Sequence, residues 1–219
     1  MAYILNIETA TKNCSVSLSH NGKLISVIEK AEEGYIHAEN LHIFIKNILS
    51  ESGISAENLS AIAVSKGPGS YTGLRIGVSA AKGLCYALNI PMIFVDTLQV
   101  LAMQLKAESG LIIPMIDARR MEVYTAIYDI SYKALSPVSA KIISPDSFSE
   151  YNQKLHFLGD GALKCQPVIL HPNVVFYPET LYPSAKEMCG LSYLAYNNKH
   201  FEDVAYSEPF YLKDFIAGK

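Results

Sequence analysis

The helix read over residues 72–89 constrains this chain more than any other segment. At about 100° per residue, Asn89, Lys82, Arg75, Tyr86 and Ser79 fall in one narrow polar sector, and the rest of the circumference is apolar. Such a helix must be covered nearly all round. Much of its apolar surface is small, with Gly73, Gly77, Ala80, Ala81, Gly83 and Ala87, so a sheet or another helix can approach its backbone closely. Each glycine inside a helix costs about 1 kcal/mol relative to alanine, a cost that close packing offsets. In a domain of about 110 residues the helix's own sheet takes one face. The other face is then free for a partner.

The helix is entered through Lys66-Gly67-Pro68-Gly69-Ser70-Tyr71-Thr72-Gly73-Leu74-Arg75, after a strand read over 60–65. A turn at that place offers backbone N–H groups and the helix dipole to an anion, which makes Gly67, Gly69 and Ser70 candidate nucleotide or phosphate contacts. The spacing misses both standard phosphate motifs. A P-loop needs Lys and Ser or Thr directly after its last glycine, where this chain has Leu74-Arg75; the dinucleotide spacing needs a glycine at position 72. The competing reading is a tight turn whose glycines supply backbone freedom and whose Thr72 caps the helix.

Around this segment the chain alternates strands and helices. Strands are expected over 2–7, 14–19 and 23–29, the last two joined at His20-Asn21-Gly22, where Asn-Gly between alternating runs signals a hairpin. A helix over 36–49, the 60–65 strand, the 72–89 helix, a buried strand over 92–95 and a helix over 97–108 complete the first half. After Gly110 a second series begins, with strands over 111–116, 122–130, 137–143, 155–158 and 174–176, a helix over 184–196 and a Tyr- and Pro-rich tail. The expected layout is therefore α/β, with one domain over 1–109 carrying the partner-binding helices and a smaller one over 110–219, whose tail can dock back.

Composition removes several function classes. Eighteen Lys and Arg against 21 Asp and Glu give a net charge of -3, which leaves no global positive field for a polyanion. Only Arg75, Arg119 and Arg120 are arginines, and the fourteen tyrosines are spread without basic neighbours, so no patch binds tRNA alone. The first residues meet a carboxylate at Glu8 and do not form an export signal, and the longest apolar run, 84–95, is too short to span a membrane. A cytoplasmic protein is expected. Cys14, Cys85, Cys165 and Cys189 are scattered and read as ordinary buried thiols. His37 and His42 project about 140° apart on a helix, so they do not make a metal pair.

Several segments, in order along nearly the whole chain, resemble one family. They are Ile4-Leu5-Asn6-Ile7-Glu8-Thr9-Ala10-Thr11, His37-Ala38-Glu39-Asn40-Leu41, Gly67-Pro68-Gly69-Ser70-Tyr71-Thr72-Gly73-Leu74-Arg75-Ile76-Gly77, Ile116-Asp117-Ala118-Arg119-Arg120-Met121-Glu122-Val123-Tyr124, Gly159-Asp160-Gly161-Ala162 and Glu208-Pro209-Phe210-Tyr211-Leu212. On these the chain is similar to the TsaB (YeaZ) family, the dimerisation subunit of the bacterial complex that makes threonylcarbamoyladenosine in tRNA.

The resemblance implies two related domains of the actin- and sugar-kinase-like (ribonuclease H-like) fold and a scaffold role without chemistry of its own. The implied partners are a homologous catalytic subunit, TsaD, an ATPase subunit, TsaE, and a second copy of the chain when alone, with tRNA met only inside the complex. Helices 36–49 and 72–89 are the expected interface, with His37, Leu41, Phe44, Tyr71, Gly73, Arg75, Gly77, Ala80, Ala81 and Leu84 as candidate contacts. The catalytic relative carries a His-x-x-x-His metal pair at the first of these helices; if His37 matches its first histidine, Leu41 stands at the second, so one ligand is gone. The chain is also expected to be too short for the elements around the relative's active site. Two departures concern the first turn and its counterpart: Glu8 stands where the family usually has Asp, and Met121 where it often has Gly. No cofactor is firmly expected, although Glu8 and Thr9 with the Gly67 turn leave ATP or ADP at a subunit junction open. The competing classes are a nucleotide hydrolase or kinase-like enzyme, a glycoprotease-like enzyme, and a stand-alone tRNA-binding module.

Overall fold

The computed structural model describes residues 1–32 and 37–213, and the chain divides into two compact units: Met1–Thr97 with Ser184–Lys219, and Leu98–Pro183. The first unit is built on β1 (Tyr3–Glu8), β2 (Asn13–His20), β3 (Lys23–Ala31), β4 (Leu59–Gly67) and β5 (Met92–Asp96), in the order β3-β2-β1-β4-β5. β1 to β3 pair antiparallel, whereas β4 and β5 run parallel to β1. The β2–β3 hairpin turns where expected, with Asn21 at φ 49° and Gly22 at φ 78°. Alternation along the strands makes two different faces. Leu5, Ile7, Val16, Leu18, Ile62 and Val64 meet Leu41, Ile45 and Ile48 of α1 (His37–Ser52) and Val78, Ala81 and Cys85 of α2 (Tyr71–Leu88) in one core. Ile36, where the sequence starts α1, lies outside the described residues.

The other face of this sheet carries Asn6, Ser15, Ser17 and Ser19, which are fully buried although a half-solvated strand would show them to water. Their cover comes from the far end of the chain. Ser17 Oγ donates to the Ala185 carbonyl at 2.7 Å, the Ala185 N–H donates to Ser15 Oγ at 2.9 Å, and Ser184 Oγ donates to Glu29 at 2.5 Å. This corrects the expected boundary at Gly110. The segment from Ser184, with its short 3₁₀ turn over Ala185–Glu187 and the helix after it, completes the first unit because the serines need those hydrogen bonds.

The second unit repeats the topology of the first. β6 (Leu111–Asp117), β7 (Glu122–Thr125), β8 (Ser139–Ile142), β9 (Leu155–Leu158) and β10 (Val174–Tyr177) lie in the order β10-β9-β6-β7-β8, again two antiparallel neighbours on one side of the first strand and two parallel strands on the other. Its helices are α3 (Thr97–Ala102) and α4 (Asp160–Cys165), while α5 (Met188–Asn197) belongs to the first unit. β7 is shorter than the sequence suggests because Pro114 of β6 has no N–H to continue the ladder; the pairing resumes only as a bridge between Ile112 and Tyr128. α3 also stops early, with Gln104 reaching sideways to the Tyr182 carbonyl at 2.7 Å. α4 has six residues, too few to reveal a period.

Candidate functional site

The Gly67 turn joins β4 to α2, as expected, but Ser70 and not Thr72 caps the helix: its Oγ accepts from the Gly73 N–H at 3.2 Å. The other glycines are explained by close backbone approach. A Cβ on Gly69 would stand 2.3 Å from the Ala10 carbonyl oxygen, and one on Gly73 would stand 2.1 Å from that of Thr9. One on Gly77 would meet Thr9 Oγ1 at 2.2 Å. Thr9 Oγ1 in turn donates to the Gly73 carbonyl at 2.8 Å. The loop after β1 is thus clamped onto the first turns of α2, which only a chain of small residues allows.

That clamp also engages part of the turn's backbone donors. The Gly67 N–H donates to Thr97 Oγ1 at 3.1 Å, the Ser70 N–H to the Ala10 carbonyl at 2.7 Å, and the Gly73 N–H to Ser70. Phe210 closes the far side, its N–H donating to the Lys66 carbonyl at 2.7 Å. Tyr211 follows it, with its hydroxyl accepting from Arg75 Nε at 3.2 Å and its ring 5.0 Å from that of Tyr71. Arg75 lies over the Tyr71 ring at 4.0 Å. The tail therefore docks on the turn, beside Tyr71 and Arg75.

Glu8 is fully buried, and Oε1 accepts from the Ala10 N–H at 2.6 Å, while Oε2 and the Ser65 hydroxyl make no hydrogen bond among the described residues. Burial pushes its carboxyl up to about 7, against the Ala10 amide, which pulls it down. His37 is buried too: Nε2 donates to the Thr11 carbonyl at 2.7 Å, and burial holds the ring below the usual imidazole range. Leu41, one turn later, is core, and no cluster among the described residues has the groups to hold a metal ion.

The expected partner contacts separate into two sets. His37, Leu41, Gly73, Gly77 and Ala81 are buried within the chain itself, so the inner small stripe of α2 belongs to Thr9 and the sheet. Phe44, Tyr71, Ala80 and Leu84 are half-buried, and Arg75 is exposed. A second small stripe, Ser79, Gly83 and Ala87, lies outside the expected contacts although Gly83 and Ala87 are among the small residues read from the sequence; it is exposed, and a Cβ on Gly83 would meet nothing within 4 Å. Beside it Tyr86 is 87% exposed, and Ile43 on the neighbouring α1 is 52% exposed. A helical wheel shows both stripes; only the contact of Gly73 and Gly77 with Thr9 says which one faces inward.

Two five-stranded sheets of repeated topology, with a glycine turn after the fourth strand of each, define the actin- and sugar-kinase-like α/β class. The family model for TsaD, tRNA N6-adenosine threonylcarbamoyltransferase, matches residues 32–214. The tRNA threonylcarbamoyladenosine biosynthesis protein TsaB of Escherichia coli is 30% identical over 225 aligned residues, covering 99% of this chain and 96% of that one. That of Bacillus subtilis is 44% identical over 136 residues, 62% of this chain and 58% of the relative. YeaZ from Pseudomonas aeruginosa superposes with a TM-score of 0.82 at 26% identity, covering 97% of this chain and all of that one. The chain belongs to the TsaB (YeaZ) family, which is homologous to TsaD. No helix among the described residues is long and apolar enough to cross a membrane.

Proposed function

We propose that this chain is a non-catalytic subunit of the cytoplasmic assembly that threonylcarbamoylates the adenosine 3′ of the anticodon in tRNA. It binds the catalytic threonylcarbamoyltransferase subunit through α1 and α2 and supports that subunit's active conformation. The observation that carries this reading is the exposed stripe Ser79, Gly83 and Ala87 flanked by Tyr86, a surface on which a second helix can come within the 8–10 Å of close helix packing. The names of the relatives and of the matching family supply the reaction. A scaffold role is supported by Leu41 at the position where a metal pair would need its second histidine, and by the hydrogen bonds that engage the Gly67, Ser70 and Gly73 N–H groups. In the absence of the catalytic subunit the same surface pairs two copies of this chain, and an ATPase subunit joins the heterodimer.

The test is co-purification with the catalytic subunit followed by a tRNA modification assay. Gly83→Leu and Tyr86→Glu, both on exposed positions, are expected to weaken the heterodimer by about tenfold or more, roughly 1.4 kcal/mol, while the free chain stays folded with no loss of melting temperature in Gly83→Leu. Modification should fall in parallel. Normal assembly by both variants would remove this surface, and full modification in reactions lacking the chain would remove the function.

A further inference from the structure

The hairpin between β6 and β7 carries Arg119 and Arg120 at its tip, at φ 69° and φ 47°. Among the described residues they are the one pair of adjacent non-glycine residues in the left-handed region, which Asn-Gly would occupy without strain. The backbone is held there from below. Asp117 Oδ1 accepts the Arg119 N–H at 2.7 Å, the Ala118 N–H donates to the Glu122 carbonyl at 3.1 Å, and the Glu122 N–H donates to the Arg119 carbonyl at 3.2 Å. Lys164 pairs with Asp117, while Glu122 and Asp160 stand at the base of the hairpin, so the positive charge is confined to the two arginines at the tip itself. Both guanidinium groups are exposed and make no ion pair, hydrogen bond or ring contact among the described residues. Two of the chain's three arginines are thus held at a left-handed turn with exposed side chains.

We infer that this tip is a contact for the phosphate backbone of the tRNA within the assembly, an inference that rests on the function proposed above. Guanidinium groups match phosphate oxygens two hydrogen bonds at a time, and two adjacent ones suit successive phosphates better than a single carboxylate. A chain of net charge -3 cannot hold RNA by its overall field, so the contact adds to a binding surface that the catalytic subunit supplies. The position fits that division of labour: the tip lies on the second unit, whereas the helices that take the protein partner lie on the first.

The experiment compares the reconstituted heterodimer carrying wild-type chain with one carrying the double variant Arg119→Asn and Arg120→Gly, using tRNA as the probe across a salt series. The variant turn is relaxed, so the melting temperature of the free chain should rise by a few degrees. Affinity for tRNA should fall by about tenfold near 0.1 M salt, and the slope of log affinity against log salt should become shallower by roughly one to two. A second variant, with both arginines replaced by lysine, should keep most of the slope. Unchanged affinity and slope in an intact heterodimer would overturn the inference. So would loss of the heterodimer itself, which would place the arginines against protein carboxylates. If the wild-type chain fails to bind the catalytic subunit, the functional reading falls first and this one with it.

Discussion

Gly73→Ala should destabilise the chain by about 3 kcal/mol, at the upper end of overpacking costs, while Gly83→Ala on the same helix should stabilise it by up to about 1 kcal/mol. The first change drives a methyl group to 2.1 Å from the Thr9 carbonyl oxygen, which belongs to a backbone clamped by the Ala10 to Ser70 hydrogen bond. The second places a methyl in open space and removes only the flexibility of glycine. In a chain of this size the two melting temperatures should move by about 6–12 °C downward and about 2–4 °C upward. A double-mutant cycle sharpens the result. Thr9→Ala removes the hydroxyl that a Cβ on Gly77 would strike at 2.2 Å, so it should rescue much of the loss in Gly77→Ala and almost none in Gly73→Ala. Equal losses at positions 73 and 83 would mean that the clamp is not what the glycines serve.

The second large effect is a pH dependence from Glu8. Its folded carboxyl titrates at about 7 against an ordinary value of 4.5, because it is buried. Between those two values the native state holds a proton that the unfolded chain has released, so stability falls as pH rises through the interval and levels off above it. The total change is about 3 kcal/mol at 1.36 kcal/mol per unit. Glu8→Gln, which cannot ionise, should abolish that slope: little difference from wild type near pH 4.5, and a more stable protein at pH 8. Urea unfolding at half-unit pH steps measures it, and parallel curves for the two proteins would show that Glu8 does not carry the proton.

The legibility of the fold follows from where its signals are local. The succession of strands and helices in the first half, the Asn21-Gly22 hairpin and the turn into α2 each rest on a few adjacent residues, and they stand as read. The serines of β2 were visible as an alternating polar row, yet alternation states only that two faces differ. That the polar face is buried depends on Ala185 and Ser184, about 170 residues away, and no local pattern encodes such a pairing. The same limit explains the site. Glycines at 73, 77 and 83 are alike in a wheel, and their opposite roles arise from whether Thr9 or open space lies beyond them.

The return of the segment from Ser184 to the first sheet also bears on how the protein is made. The second unit is one continuous stretch, Leu98–Pro183, and can fold as soon as it has left the ribosome. The first cannot. Its N-terminal 97 residues emerge early, with Asn6, Ser15 and Ser17 lacking the cover that hides them in the finished molecule, and they wait through the synthesis of an entire neighbouring unit. Vectorial synthesis therefore finishes the two halves in the reverse of the order in which they begin.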